Sequence, residues 1–383
     1  MVEFKDPFIV LRKIFFIKFN NCKLTLFLNI SIIVFFSLVL CLQICYLMKN
    51  FNLNLLFRYG PVTVLFTLVT VTAVLSLTLE REIFMAITFF FKFCWSLNII
   101  RNDAQITLKR KCRCVNIGLL CILLIILIAI VIGFPCFGSQ KDFFICLEVF
   151  EEYFGEWSFI PYYFYFAASP FLCYHFLRIC FTFVYAILEA QLQYLIIAEY
   201  LFEIYQTNPS KRWKYLQDTR YQQQIGKSLR LSIVHHVVLK KFLKRTLHLT
   251  KIGMPFFLVL GILLLTSSFA FIMNLGDTMS NILKIRIFLF TTSVLCITIL
   301  LCWIGQQLID VTSQIFVSLS GAPWYFWNLE NIKILLMFLT NCTKNESIIL
   351  AGICLDYKLF VSVARLTVSY AVVLFKLHKS SLV

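Results

Sequence analysis

Residues 24–48 read LTLFLNISIIVFFSLVLCLQICYLM, a run of 25 residues without a charged side chain. About 20 apolar residues in a helix cross the hydrocarbon core of a bilayer, so this run is long enough to span one. The apolar part of a secretory signal peptide is only about 7–15 residues long. The run therefore predicts an uncleaved transmembrane helix rather than a leader.

Further runs of the same kind follow along the chain. Of the 383 residues, 60% are hydrophobic and the mean hydropathy is +0.86, whereas soluble domains are about 45–50% apolar. The runs are long and continuous, which predicts helices rather than the short alternating strands of a membrane β-barrel. We expect one all-α membrane domain over residues 1–383 with seven transmembrane helices. The predicted spans are 24–48, 62–85, 115–134, 170–195, 252–274, 283–310 and 348–377.

Two proline motifs predict where helices begin or break. Gly60–Pro61 indicates a break before the second span. Ser169–Pro170 resembles an N-cap followed by proline in the first helical turn, which predicts the start of the fourth span. Between the sixth and seventh spans, the pattern predicts a shorter helix over about residues 325–340.

The basic residues indicate how the spans are oriented. The chain has 35 Lys and Arg against 19 Asp and Glu, a formal net charge of +16. About 25 of the basic residues fall on one side of the predicted spans and five on the other. The positive-inside rule then places the N-terminus in the cytoplasm and the C-terminus outside. Segments 200–251 and 311–345 become a cytoplasmic anchor region, and the charge needs no nucleic-acid partner.

The sequence lacks the motifs that are typical of several functional classes. The sequence has no glycine-rich phosphate loop, no zinc-binding helix motif and no nucleophile elbow, so we expect neither an enzyme, a cofactor nor a metal site. A G-protein-coupled receptor would need the opposite orientation. The glycosylation sequons at Asn341 and Asn345 distinguish the two orientations, because they face the cytoplasm in the predicted topology and stay unmodified there.

The C-terminal part carries a more specific pattern of about seventy residues. Its components are Gln306–Gln307–Leu308, Pro323–Trp324–Tyr325, Leu335–Leu336–Met337–Phe338–Leu339, Ala351–Gly352, Phe360, Ser369–Tyr370 and Val373–Leu374. In order and spacing this resembles the insect odorant receptor family. One departure from the family pattern is a single Lys333 where a basic pair is common. Gustatory receptors usually have Thr-Tyr and a later Gln-Phe, so Ser369–Tyr370 without Gln-Phe favours the odorant branch. A gustatory-type ligand-gated channel and a G-protein-coupled receptor remain the alternatives.

The resemblance implies a tuning subunit of a ligand-gated, non-selective cation channel. Subunits of this family form tetramers in which the last helix lines a central pore. The expected partners are odorant co-receptor subunits, a small volatile odorant and membrane lipid. The expected location is the plasma membrane of olfactory sensory neurons.

The resemblance also assigns pore positions near the C-terminus. Val373 and Leu377 match the hydrophobic gate, and Lys376 matches a position that is Gln in the co-receptor. Val373 and Leu377 are four residues apart and share a helix face, so a ring of them can close a pore by dewetting. A ring of four lysines would repel cations, which predicts that this subunit needs co-receptor neighbours. Ordinary packing, and a Lys376 that extends to the interface, are the alternatives.

The odorant pocket of the family lies among the outer halves of spans two, three, four and six. In this chain the candidate side chains are Phe66, Val69, Thr70, Ala73, Ile130, Phe134, Tyr174, Leu177, Phe288, Thr291 and Thr292. This apolar and aromatic set with a few hydroxyls suits a small volatile ligand. Each position taken alone fits core packing as well.

Overall fold

Long α-helices account for most of the described chain. The computed structural model describes residues 6–17, 23–134, 143–205, 216, 218–251, 253–275, 279–350 and 352–381. In these ranges the helices are α1 (Ile9–Phe15), α2 (Lys23–Lys49), α3 (Leu53–Phe91), α4 (Asn102–Gly133), α5 (Cys146–Phe154), α6 (Phe159–Tyr205), α7 (Thr219–Thr250), α8 (Gly253–Leu275), α9 (Asn281–Ser320), α10 (Leu329–Cys342) and α11 (Tyr357–Ser381). Two short strands, β1 (Ile349–Leu350) and β2 (Ile353–Cys354), pair antiparallel before α11.

Seven helices in the described part of the chain are long and apolar enough to cross a bilayer. They are α2, α3, α4, α6, α8, α9 and α11. The predicted all-α fold with seven transmembrane helices is therefore confirmed. The other helices are short, as α1 and α5 are, or carry a polar face, as α7 does.

The two proline motifs do not mark helix ends, and this part of the prediction is wrong. α3 continues through Pro61 and α6 through Pro170. Pro170 has no N–H to donate to the carbonyl of Phe166, four residues earlier. The hydroxyl of Ser169 donates to that carbonyl at 3.0 Å. A neighbouring side chain thus satisfies the freed backbone group, as a helix inside a membrane requires.

The last apolar run divides into a hairpin and a helix. Gly352 forms the turn between β1 and β2 with a φ of 87°, a conformation that glycine adopts without steric cost. The carboxylate of Asp356 then accepts from the N–H of Leu359 at 2.9 Å, which caps the first turn of α11. α11 therefore begins at Tyr357 rather than near residue 348.

α6 is the central helix of the bundle. It packs against α1, α3, α7 and α9. Its segment 180–198 is buried almost throughout. A helix segment that is buried on all its faces is expected in the interior of a membrane bundle, where other helices surround it.

The N-terminal helix α1 is held against α6 by its apolar face and by one arginine. The ring of Phe15 stacks on Phe181 with centroids 5.0 Å apart. The guanidinium of Arg178 donates to the carbonyls of Phe15 at 3.2 Å and Ile17 at 3.0 Å. It also forms a buried ion pair with Glu80 of α3 at 3.1 Å. One buried cation thus connects the N-terminal segment, α3 and α6.

α7 and α10 pack against each other. Together with the ends of the long helices that reach beyond the spans, they form a helical extension of the bundle. The side-chain amide of Gln222 donates to the carbonyl of Phe326 at 2.8 Å, and that of Asn331 donates to the carbonyl of Gln222 at 2.8 Å. These contacts join the described parts of segments 200–251 and 311–345. α10 begins at Leu329, because Asn328 caps its first turn by accepting from the N–H of Asn331 at 2.9 Å.

Candidate ligand cavity and last helix

A cavity of about 220 Å³ lies between α3, α4, α6, α8 and α9. It is found at the end of the bundle where α4 finishes, because Gly133 and Phe134 line it. Phe143 and Phe144, from the segment before α5, close the same side. In the predicted topology this is the outer half of the membrane. The cavity is smaller than the roughly 300–1,000 Å³ of drug-sized sites, so it suits a small molecule.

The wall of this cavity is mainly apolar and aromatic. Val62, Leu65, Phe66, Leu68 and Val69 come from α3; Ile126, Ala129 and Ile130 from α4; Tyr165, Phe166, Cys173, Phe176, Leu177 and Cys180 from α6; Phe257 and Leu264 from α8; and Phe290, Val294, Ile297 and Leu301 from α9. A ligand here gains dispersion contacts and loses contact with water, which favours an uncharged, apolar molecule.

Three serine and threonine hydroxyl groups also line the cavity. The hydroxyls of Ser169, Ser293 and Thr298 donate to carbonyls of their own helices, at 3.0, 2.8 and 2.9 Å. Each hydroxyl hydrogen is used in that bond, while the oxygen retains acceptor capacity. The hydroxyls can therefore accept a hydrogen bond from a ligand hydroxyl without giving up their helical partner.

Arg286 is the charged residue in the wall. Its side chain is 4% exposed, and its Nε donates to the carbonyl of Ile132 at 3.1 Å. Ile132 is in the last turn of α4, where carbonyls lack helical donors. Arg286 thus fixes the start of α9 to the end of α4 at the cavity.

Five of the predicted pocket residues meet in this cavity. They are Phe66, Val69, Ile130, Phe134 and Leu177. Their contact with a ligand stays a prediction. The structure brings together the α3, α4 and α6 positions on which the sequence argument depended.

The other six predicted residues lie elsewhere. The hydroxyl of Tyr174 donates to the carbonyl of Ile14 at 2.9 Å, beside α1. Phe288 is 67% exposed, and the hydroxyl of Thr291 donates to the carbonyl of Ile287. Thr70, Ala73 and Thr292 are likewise not among the residues lining the cavity.

The reason is helix rotation. On α6, Cys173 and Leu177 line the cavity, whereas Tyr174 falls on the face that contacts α1. On α9, the cavity side repeats every three or four residues through Phe290, Val294 and Ile297, and Phe288 falls on another face. Arg286 and the α8 residues were not among the residues predicted from the sequence. The charge of Arg286 within an apolar run was the available signal for it.

The last helix, α11, packs against α8 and α9 with one face and leaves the other open. Lys358, Arg365, Ser369 and Lys376 are exposed and are spaced by seven, four and seven residues, which aligns them on one face. Val373 is 48% exposed beside this row. Leu377, the third predicted pore residue, lies outside the residues whose side chains are described. The charged row is exposed in the single chain.

The seven spanning helices with a buried α6 among them, a helical extension beyond the spans and a hairpin before the last helix make up a fold that matches solved insect olfactory receptors. The structure of the insect olfactory receptor OR5 from Machilis hrabei matches with a TM-score of 0.69 over 96% of both chains, at 12% identity. The structure of OR5 in complex with eugenol matches with a TM-score of 0.67 over 97% of both chains, also at 12% identity.

At this identity the likeness shows the fold. No protein-family model matches the sequence, and no curated protein matches it. The chain is thus a multi-pass membrane protein with the olfactory receptor fold.

Proposed function

We propose that this chain is an odorant receptor subunit, in which a small volatile ligand binds the cavity between α3, α4, α6, α8 and α9. The observation that carries this proposal is the mainly apolar cavity with hydroxyl acceptors in its wall. The shared fold and the C-terminal pattern support it. The solved OR5 structure with eugenol is a complex of that fold with a small molecule.

A pair of substitutions on α4 tests the cavity. Ile130 lines it, whereas Ile128, on the same helix, is 41% exposed and does not. Ile130→Trp fills the space, so we expect it to abolish or weaken by at least about tenfold the response to volatiles that activate the parent chain, because the ligand loses its room. Ile128→Trp should leave the response unchanged. The measurement is the concentration dependence of ligand-evoked current, with surface expression checked.

Equal responses from the Ile130→Trp and parent chains would contradict binding in this cavity. Equal loss in both tryptophan variants would contradict it as well, because the effect would then come from α4 itself.

We propose further that the receptor is a cation channel assembled with co-receptor subunits. Four copies of α11 around an axis would bring Lys358, Arg365 and Lys376 of each chain to the pore. Such rings suit anions and repel cations. Co-receptor subunits with neutral residues would dilute the charge, so we infer that the working channel is a heteromer, with Val373 and Leu377 contributing to the gate.

The same proposal includes orientation and location. The N-terminus is cytoplasmic, the C-terminus extracellular, and the receptor acts in the plasma membrane of olfactory sensory neurons. The olfactory receptor fold favours an odorant receptor with this orientation over a G-protein-coupled receptor. A gustatory-type channel is the second candidate, and Ser369–Tyr370 favours the odorant branch over it.

Asn341 and Asn345 should remain unglycosylated, and a shift in mass on deglycosylation would contradict the orientation.

A further inference from the structure

A second cavity, of about 680 Å³, lies where α7 ends and α8 begins. It is lined by Lys241, Lys244, Arg245, Leu247, His248, Lys251, Pro255, Ile349 and Gly352. Five of these residues carry basic side chains. The cavity is separate from the proposed ligand cavity, and the two have no lining residue in common.

The basic side chains form one face of the end of α7. Lys241, Lys244, Arg245, His248 and Lys251 follow each other at spacings of three, one, three and three residues, and all are exposed. On the opposite face Phe242, Leu243 and Thr246 are buried. α7 is therefore held by its apolar face, while its basic face is presented to the cavity.

Little of this charge is balanced by described carboxylates. Arg245 pairs with Glu82 at 3.3 Å, with both side chains 45% exposed. Among the residues the structure describes, no carboxylate pairs with Lys241, Lys244 or Lys251. Three lysines beside one another raise the local potential, which favours a bound anion with several negative charges.

The position of the cavity indicates the kind of anion. The spanning part of α8 begins at Pro255, which lines the cavity four residues after Lys251. Lysines at this depth reach the headgroup layer. Leu247, Pro255 and Ile349 supply an apolar wall beside the charges. A site with cationic and apolar parts at the membrane boundary fits an amphiphile better than an acidic peptide or a free phosphate.

We propose that this cavity binds the phosphorylated headgroup of an anionic lipid. The lysines hold the phosphates, and the apolar wall contacts the glycerol and the first part of the acyl chains. The hairpin residues Ile349 and Gly352 belong to the same wall and precede α11. A bound lipid therefore contacts both the end of α7 and the segment that leads into the last helix.

The test uses the full-length protein in detergent and a fluorescent short-chain phosphatidylinositol bisphosphate, with binding followed by anisotropy. The variant combines Lys241→Gln, Lys244→Gln and Lys251→Gln. The matched control combines Lys109→Gln, Lys111→Gln and Arg113→Gln, which removes the same charge from exposed positions on α4 outside the cavity. Size-exclusion profiles check folding. Unlabelled inositol trisphosphate, inorganic phosphate, an oligoglutamate peptide and short-chain phosphatidylcholine serve as competitors.

We expect the cavity variant to bind the lipid at least about tenfold more weakly and the control to stay within about twofold. Unlabelled lipid should compete best, and phosphatidylcholine should not compete. Equal binding by variant and parent, or equal loss in variant and control, would overturn the proposal. Competition by inositol trisphosphate or inorganic phosphate as strong as that of the lipid would indicate a soluble phosphate ligand. Stronger competition by the peptide would indicate an acidic protein partner. Either result would overturn the lipid assignment.

Discussion

Arg178 shows how one residue can organise a membrane bundle. Its side chain is buried, with Glu80 at 3.1 Å and two backbone carbonyls of the N-terminal segment as acceptors. A buried cation is stable only when its donors are satisfied and a counter-charge is near. The position of α1 against α6 therefore depends on Glu80 as well as on Arg178.

Removal of the Glu80 charge should cost much more stability than removal of the neighbouring Glu82 charge. Glu80→Gln leaves a buried guanidinium without its anion, a loss of about 3 kcal/mol. Glu82→Gln affects the half-exposed pair with Arg245, which contributes only about 0–1 kcal/mol. We expect Tm in detergent to fall by at least about 3 °C for Glu80→Gln and to change little for Glu82→Gln. Equal shifts would contradict a special role for the buried pair.

Lys376 is the residue through which the proposed pore is most easily examined. Two unit charges about 4 Å apart in water repel by about 1 kcal/mol, and calcium is repelled about twice as strongly. Lys376→Gln in the heteromer should therefore raise the permeability to calcium relative to sodium by about fivefold. The exposed Lys333 on α10 provides the control, as Lys333→Gln. Reversal-potential measurements report the ratio, and an unchanged ratio for Lys376→Gln would exclude this residue from the pore.

α7 carries a buried histidine pair that holds the helical extension together. The ring of His235 stacks on Trp95 with centroids 4.3 Å apart, and its Nε2 donates to the side-chain oxygen of Gln193 at 3.0 Å. Burial lowers the pKa of His235 to about 3 and that of His236 to about 4, with smaller contributions from His236 and Lys240, respectively. Both rings are therefore neutral in the folded chain at neutral pH.

This histidine pair predicts loss of stability in acid. Below about pH 6.5 an unfolded histidine binds a proton, while the folded rings do so only near pH 3–4. The unfolded chain then binds more protons, so the free energy of unfolding falls as the pH drops from about 6.5 toward 4. We expect Tm to decrease over this range, and to decrease less in the double variant His235→Gln and His236→Gln. The exposed His248→Gln variant should behave as the parent chain; an identical slope in the double variant would contradict the assignment.

Hydrophobicity along the chain predicts the seven spans because each span depends on its own composition. The continuation of α6 through Pro170 depends instead on the hydroxyl of Ser169 and on neighbouring helices, which the proline rule does not include. Which residues line the cavity depends on how each helix is rotated about its own axis. Phe290 lines the cavity, whereas Phe288, two residues away on the same helix, is 67% exposed. Such a difference follows from how α9 packs on α4 and α6, and a single sequence contains no direct record of that packing.

The whole molecule leaves an open face on its last helix. Leu366, Val368, Tyr370 and Val373 of α11 are at least 42% exposed in the single chain, beside the row of basic residues. Lipid can cover the apolar part, whereas Lys358 and Arg365 within a span need water or partner groups. An assembly in which α11 faces an aqueous axis satisfies both requirements.

The most direct test of this arrangement is electrical. The chain is expressed in cells with and without an insect odorant co-receptor, and whole-cell current is recorded during a panel of volatiles with G-protein signalling blocked. We predict a fast cation current that appears only when both chains are present, because the basic row on α11 opposes cation flow through a pore of four identical chains. A cation current of the same size from this chain alone, or a ligand response that disappears with the G-protein block, would contradict the proposal.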